Sequence, residues 1–557
     1  MNVCDALLDI LSEYGVKYIF GIPGDAINQL TESVRKQDKI RFIHVMHEET
    51  GAFAASAQAK LTGELAVCVG TAGPGAIHLL NGLYDAKMDH APVLAITGQV
   101  ETSLIGTSYQ QEVNLLALFN DVTVFNQAVV NSGQMPELAI LACQAALSKS
   151  GVAHLNIPSN ISTEKVHDYT KKKQVIRASS RIVPCREDLR SAAEMINSSQ
   201  KPCILAGIGA RDAINEVVQL AELVKAPVIK ALRGKDILPD QHPLTLGGIG
   251  LLGTEPSLRA MRSCDLLIVI GSDFPYHDFY PGPEVPVIQI DKDSNQIGRR
   301  HVVPLPLTGD ARLTLQELIP MISEHTHDEF LRECQERMKA WNRKQDKTEY
   351  SSDNPIHPQA LANTVSRLAA NNAVICCDTG AVTVWGARHF RIQDSQRFIL
   401  SGDLASMAFG LPAAIGAQLA FPGRQVIALC GDGGFAMLMC DFVTAVKYKL
   451  PVKVFVFNNG KLGLIQMEQE ASGNPEHETD LLNPDYTAFA KICGGEGYTI
   501  KEASDLEPVI NEALGSDKPC IINVFINPEE LTIPPDITFE QAVSYSKAKI
   551  KEYLIRH

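Results

Sequence analysis

The chain predicts an α/β protein of three doubly wound parallel sheets. Three observations carry this. Short apolar runs bounded by glycine or proline alternate with stretches of helical apolar spacing, the βαβ pattern of a parallel sheet. The alternation recurs in three blocks set apart by polar, charged stretches. The 557 residues are too many for one core, so three or four domains are expected.

In the first block, Lys17–Gly21 reads as a strand running into the turn GIPGD, and Ile40–Met46 as a second strand. Glu49–Leu61 has helical spacing, with Ala or Ser at positions 52, 54, 55, 56, 57 and 59. Side chains that small mean close packing against a neighbouring helix or another subunit. Leu65–Gly70 is a strand, Gly73–Gly75 opens a helix over Ala76–Lys87, and Pro92–Gly98 is a further strand. Lys165–Arg181 is polar and basic and reads as a linker. The middle block runs through Pro202–Ala206, GIGARDA, Pro227–Leu232, Leu266–Gly271 and Val287–Asp291. A charged stretch follows, with helical spacing over Asp328–Trp341. The third block holds apolar Gln425–Cys430, helical Ala436–Leu450 and, restarted by Pro451, the strand Val452–Phe457. The expected units are 1–180, 185–330 and 350–535, with 536–557 a helical tail. The first and third have the look of diverged repeats, which periodicity alone does not prove.

Composition is that of a soluble globular protein, 45% hydrophobic and 20% charged. No apolar run reaches the roughly 18–20 residues that span a bilayer, and Met1–Leu11 lacks the basic start and apolar core of a signal peptide. Thirteen cysteines, none in a CxxC, are scattered through apolar segments. They read as buried reduced thiols of a cytoplasmic protein. A net charge of −14 argues against nucleic acid as a partner. It leaves room for an anionic substrate, which needs only local positive charge.

The chemistry-bearing signal is a pair of segments, GDGGF at Gly431–Phe435 and FNN at Phe457–Asn459. Both follow strands, and in an open parallel sheet ligands bind at the carboxyl ends of strands. A carboxylate, an amide oxygen and a helix N-terminus converging there suit an octahedral Mg²⁺ holding a diphosphate. A single GDG is usually a turn; the pair is what speaks. It resembles the thiamine diphosphate (ThDP) enzymes. That resemblance implies Asp432, the Asn459 side chain and the Lys461 carbonyl as metal ligands, and the amides of Gly433 and Gly434 facing the phosphates. It also places Leu462, Gly463 and Leu464 beside the cofactor.

His47-Glu48-Glu49 follows a strand and precedes the small-residue helix. On the residues alone these acids decorate a helix N-terminus. The resemblance, to the branch of pyruvate oxidases and acetohydroxyacid synthases, maps the activating acid onto Glu48, since a carboxyl raised by burial suits a proton shared with the aminopyrimidine. Ser401–Ala417 is similar to the stretch that bends the cofactor, which implies Met407 as the wedge and the Ala405 carbonyl as an acceptor. Unaided, Met407 reads as core filler. Glu48 and Asp432 fall in different units, and the family sets the cofactor between two subunits. A homo-oligomer follows, a dimer at minimum and a tetramer in expectation.

In the middle unit, Arg233–Asp236, Gly248–Gly253, Gly271–Tyr276 and Gln289–Asp291 are strand-end loops, each a weak signal alone. In this order they resemble the flavin-binding domain of the pyruvate oxidases. The resemblance implies FAD at Arg233, Gly250, Leu251, Gly271, Ser272, Asp273, Phe274, Pro275 and Asp291, the last where an acid can hold a ribose hydroxyl.

The pocket departs from that family. Gln110 stands where Phe is usual, Thr379 where Val is usual, and Leu464 where Phe is usual, while Gln111 keeps its place as a substrate hydrogen-bonder. The expected activity is oxidative decarboxylation of a 2-oxo acid, pyruvate first among them, to acetate or acetyl phosphate and CO₂, with electrons passing through FAD to quinone or another acceptor. The rivals are an acetolactate synthase-like ligase with non-redox FAD, another ThDP-dependent decarboxylase or lyase, and a non-catalytic protein that kept the fold. Against the last, Glu48 and Asp432 are both present. Against the ligase, the stretch that usually holds Gln-Trp is Gln466-Met467-Glu468, and the tryptophans are Trp341 and Trp385. The tail Phe539–Ile555, with lysines at 547, 549 and 551, reads first as a solvated helix and second as a peripheral contact with the inner membrane face.

Overall fold

The computed structural model describes residues 1–167, 181–530 and 547. Three six-stranded parallel sheets with flanking helices make up the chain, the α/β architecture expected. The first contains β1 (Tyr18–Gly21), β2 (Arg41–His44), β3 (Ala66–Gly70), β4 (Val93–Gln99), β5 (Thr123–Ala128) and β6 (Val152–Pro158), in the order β2-β1-β3-β4-β6-β5. The second contains β7 (Pro202–Ala206), β8 (Val228–Lys230), β9 (Thr245–Gly248), β10 (Leu266–Ile270), β11 (Val287–Asp291) and β12 (Leu305–Thr308), ordered β12-β11-β10-β7-β8-β9. The third contains β13 (Val374–Cys377), β14 (Arg397–Leu400), β15 (Val426–Gly431), β16 (Lys453–Asn458), β17 (Glu496–Ile500) and β18 (Cys520–Phe525), ordered β14-β13-β15-β16-β18-β17. Central strands such as β3, β4 and β13 are buried along their whole length, which is why they read as unbroken apolar runs.

Numbered from its own first strand, the third sheet repeats the order of the first, so the two units share one design. In both, the order reverses between the first and third strands, and crevices at such reversals hold ligands. The middle sheet reverses between β7 and β10, the 3-2-1-4-5-6 order of dinucleotide-binding sheets.

The small-residue helix is Glu48–Thr62, and its neighbours belong to its own chain. A Cβ on Gly416 of helix Gly410–Ala420 would lie 2.2 Å from the Ala54 carbonyl oxygen, and one on Gly82 would lie 2.6 Å from the Ala52 Cβ. Not even alanine fits at either glycine without moving the neighbouring helix.

Several elements differ from the sequence expectation. The helix expected over Ala436–Leu450 is instead Asp432–Leu438, a 3₁₀ turn at Met439–Asp441 and Phe442–Lys447. The break lies where the Asp441 carboxylate takes the Met46 amide at 2.8 Å and the Thr444 hydroxyl at 2.7 Å, a tie between the first and third units. The helix expected over Ala76–Lys87 is split into Pro74–His78 and Leu80–Met88. Helix Glu329–Glu349 outruns its expected end because Glu349 is buried against His389 and Arg391, at 2.9 and 2.7 Å. The thirteen cysteines are all free; Cys185 and Cys440 are exposed and Cys493 half-buried. Most of the expected linker at 165–181 and the tail at 536–557 lies outside the described residues. Among the described residues, no helix is long and apolar enough to cross a membrane.

Candidate functional site

Two half-sites form at strand ends. In the third unit, β15 runs out at Gly431, which caps the helix opening at Asp432. Asp432 is buried, and its Oδ2 accepts from the Gly460 amide at 2.8 Å and Asn483 Nδ2 at 2.7 Å. Burial raises this carboxyl above the usual range, and those hydrogen bonds, with one from the Gly433 amide, pull against the rise. Asn459 follows β16, and its Oδ1 accepts from the Lys461 amide at 3.2 Å. A Cβ on Gly433 would lie 3.0 Å from Leu462, 3.1 Å from Leu481 and 3.5 Å from the Met407 Cε, so these three side chains close tightly over the floor of this cradle. A Cβ on Gly463 would lie 2.7 Å from Asn459 Nδ2. Leu464 and Thr379 are both half-buried near this rim, with the Thr379 amide held by Asp378 Oδ1 at 2.8 Å.

Met407 sits between two residues in left-handed backbone, Ala405 at φ 54° and Ala408 at φ 71°. Each costs an alanine on the order of 1–2 kcal/mol, and such strain persists where surrounding structure holds a functional segment. The Phe409 amide, just beyond, donates to Asp378 Oδ1 at 3.1 Å. Asp378 is fully buried, and burial pushes its carboxyl up to about 7 against backbone hydrogen bonds that favour the ion.

In the first unit, Glu48 opens the helix after β2 and is 6% exposed. Its Oε2 lies 2.9 Å from His78 Nδ1, and the His47 ring stacks on His78 at 4.4 Å. Gly73, at φ 66°, lets the backbone of Gln111 approach; a Cβ there would lie 2.9 Å from the Gln111 carbonyl oxygen. Gln110 and Gln111 are exposed, Gln111 in left-handed backbone at φ 64°. Asn81 Nδ2 reaches Glu49 Oε1 at 2.6 Å and Ser406 Oγ at 3.0 Å, joining the neighbours of Glu48 and Met407 within the chain.

Of the middle-unit residues, Gly271, Ser272 and Asp273 follow β10 at the reversal of strand order, where a Cβ on Gly207 would meet the Gly271 carbonyl oxygen at 2.3 Å. Phe274 is buried with Tyr276 and Phe279 edge-on to it, and Pro275 is half-buried beside it. Gly250, at φ 93°, turns back toward Phe274, and Leu251 is exposed. Asp291 ends β11, its Oδ1 accepting from the Asp293 amide at 2.9 Å. Arg233 is committed to carboxylates, with Asp89 at 3.2 Å, Asp403 at 3.3 Å and Asp273 at 3.5 Å.

The comparisons decide the family. The N-terminal TPP binding domain of thiamine pyrophosphate enzymes matches residues 1–118, the central domain 189–318 and the C-terminal TPP binding domain 378–524. The chain belongs to the thiamine pyrophosphate enzymes. It is 44% identical over 98% of its length and 95% of the relative's to the protein YdaP of Bacillus subtilis (strain 168), described only as thiamine pyrophosphate-containing. It is 30% identical to a pyruvate oxidase of Lactiplantibacillus plantarum, covering 99% of this chain and 93% of that one. An acetolactate synthase of Mycobacterium bovis is 32% identical, over 95% of this chain and 88% of its own.

The residues present fit ThDP with a divalent cation: a tightly closed glycine cradle, an amide-rich helix start, and a carboxylate and an amide side chain on neighbouring strand-end loops. Sequence reasoning missed His78, Asn81, Asp378 and Asn483 as parts of these half-sites. Asp378 and His78 stood next to recognised motifs, so adjacency was the available signal. Asn483 gave none, since Asn before Pro484 reads as a turn.

Proposed function

We propose that this ThDP enzyme oxidatively decarboxylates a 2-oxo acid, pyruvate first among them, passing electrons through FAD to quinone or another acceptor. The observation that carries the reading beyond decarboxylation is the middle sheet. It has a dinucleotide-type strand order with Gly207 and Gly271 in backbone contact at the reversal, in a unit that lies in the chain between the two thiamine-type units. When bound, ThDP would supply an acceptor for the electrons left as CO₂ departs, and FAD would supply a redox group able to accept them from it.

The chain's own residues divide the work. Asp432, Asn459 and the Lys461 carbonyl hold Mg²⁺, and the Gly433 and Gly434 amides face the diphosphate. Met407 shapes the cofactor, and the Ala405 carbonyl accepts from its amine. Glu48, buried and hydrogen-bonded to His78, holds and returns the proton of the aminopyrimidine. Gln111 binds the substrate's oxygens, and Gln110, Thr379 and Leu464 shape the pocket around its side chain. Arg233, Gly250, Leu251, Gly271, Ser272, Asp273, Phe274, Pro275 and Asp291 would contact FAD. Apolar residues rim both half-sites, Met46 at 51% and Ile77 at 44% exposed near Glu48, Met437 at 58% and Leu482 at 102% near Asp432. A second copy covering them makes the working unit a dimer or a tetramer built from dimers.

One observation favours an acetolactate synthase-like ligase as the second reading. Trp385 lines a shallow open cleft with Gln466 and Met467, so a tryptophan does face the stretch where ligases usually carry one. Anaerobic mixing with pyruvate separates the two. Bleaching of the flavin without acetolactate supports the oxidase, and acetolactate formed with the flavin still yellow overturns it.

A further inference from the structure

We propose that Asn483 is the positioning residue of the metal centre, turning the Asp432 carboxylate so that only Oδ1 is left for the cation. This rests on the reading of Asp432 as a cation ligand. Two donors converge on Oδ2, the Asn483 Nδ2 at 2.7 Å and the Gly460 amide at 2.8 Å. A carboxylate oxygen offers about two lone-pair directions, so Oδ2 is filled. Oδ1 receives only the adjoining Gly433 amide, at 3.1 Å, and keeps a lone pair for a metal.

The Asn483 amide is itself fixed. Its Oδ1 accepts from the Tyr486 hydroxyl at 3.0 Å, and its Nδ2 also reaches Asn458 Oδ1 at 3.1 Å. Asn458 in turn donates to Asn523 Oδ1 at 3.0 Å, so the chain of amides runs back into β16 and β18. Reversing Asn483 would set its carbonyl oxygen against the Asp432 carboxylate and against Asn458 Oδ1. The network therefore selects one orientation. Backbone pairing delivers the residue to this place. The Leu462 amide donates to the Thr479 carbonyl and the Leu481 amide to the Gly460 carbonyl, both at 2.8 Å, folding the segment ahead of Asn483 onto the loop that carries Asn459 and Lys461.

Partners that orient a metal ligand typically contribute about 10–100-fold to metal affinity. The test is Mn²⁺ binding to the full chain with ThDP present, followed by electron paramagnetic resonance. Asn483→Leu keeps the shape of the side chain and removes its donor. It is expected to weaken Mn²⁺ binding about 10–100-fold, with the melting temperature of the cofactor-free protein unchanged. Asn483→Ala, which removes the amide and leaves the Tyr486 bond to the Asp432 carbonyl in place, is expected to weaken it similarly and serves alone if the leucine variant does not fold. Wild-type Mn²⁺ affinity in either folded variant, or a loss matched by a lower cofactor-free melting temperature, overturns the inference. If Asp432→Ala binds Mn²⁺ as the wild type does, the ligand reading itself falls, whatever Asn483 does.

Discussion

A Cβ built on Gly434 would lie 2.3 Å from Oδ2 of Asp378, closer than any side chain can stand. Gly434 lies in the helix that opens directly after β15 and Asp378 in the loop after β13, the pair of strands that flanks the reversal in the third sheet. Gly434→Ala must push the buried carboxylate away, and with it the Thr379 and Phe409 amides that Oδ1 holds. Overpacking of this kind costs about 1–3 kcal/mol. The variant is expected to melt lower and to bind ThDP at least about tenfold more weakly, by calorimetry. Shortening the partner, in the double variant with Asp378→Ser, should recover part of both losses, because residues in contact couple.

The same carboxyl sets a pH dependence. Burial pushes Asp378 up to about 7 in the folded chain, while unfolded it returns to the ordinary carboxylate range. Its raised folded value means that the stabilising contribution is fully present below that ordinary range and is lost as pH climbs through about 7. The slope is about 1.4 kcal/mol per pH unit within the window. Asp378→Asn keeps an acceptor for the two amides and carries no charge. It is expected to melt above the wild type at pH 8 and level with or below it at pH 5. Two melting curves that stay parallel across this range would show that Asp378 does not titrate in the fold.

Ala405 offers a prediction in which stability and binding move apart. Its φ of 54° costs an alanine energy that glycine does not spend, and its side chain is exposed, so little packing is lost on removing it. Ala405→Gly is expected to raise the cofactor-free melting temperature, by an amount worth about 1 kcal/mol. The same change frees the segment that carries Met407, so ThDP affinity should fall several-fold. Differential scanning calorimetry and a ThDP titration read the two effects, and an unchanged affinity would mean that the strained segment is not what shapes the cofactor.

Much of this was legible in the sequence because the signals are local. Strand runs such as Val426–Gly431, the glycines at 433 and 434 and the acid at 432 all announce themselves within a few residues. What was not legible depends on long-range placement. Asn483 meets Asp432 across 51 residues and His78 meets Glu48 across 30, and neither carries a local mark of that meeting. Alanine at 405 and 408 hides a left-handed backbone that glycine would have advertised. The small residues of helix Glu48–Thr62 said that something packs close; only the fold shows it to be Gly416 and Gly82 of the same chain. The helix break at Asp441 was hidden too, because its cause is the Met46 amide, 395 residues away.

Arg233 joins all three units, pairing with Asp89 of the first, Asp273 of the middle and Asp403 of the third. Burial opposes Asp273's charge, yet His90 and Arg233 hold it at about 2. Asp403 fares differently. Burial, with the charges of Asp273 and Asp89 adding and Arg233 opposing, pushes it up to about 6. Arg233→Met keeps the stem and removes the guanidinium that, with His90, opposes the rise of Asp403. Breaking a buried pair by removing one partner costs about 3–5 kcal/mol, so the variant is expected to melt well below the wild type at pH 8. Because Asp403 is raised, its neutral form prevails at low pH and its ionised form burdens the fold as pH rises through about 6. The deficit of the variant should therefore already be present at pH 5, where Asp89 and Asp273 stay ionised, and grow further toward pH 8 as Asp403 ionises. Melting curves of both proteins at those two values check it, and a deficit independent of pH would mean that Arg233 acts by packing and not by charge.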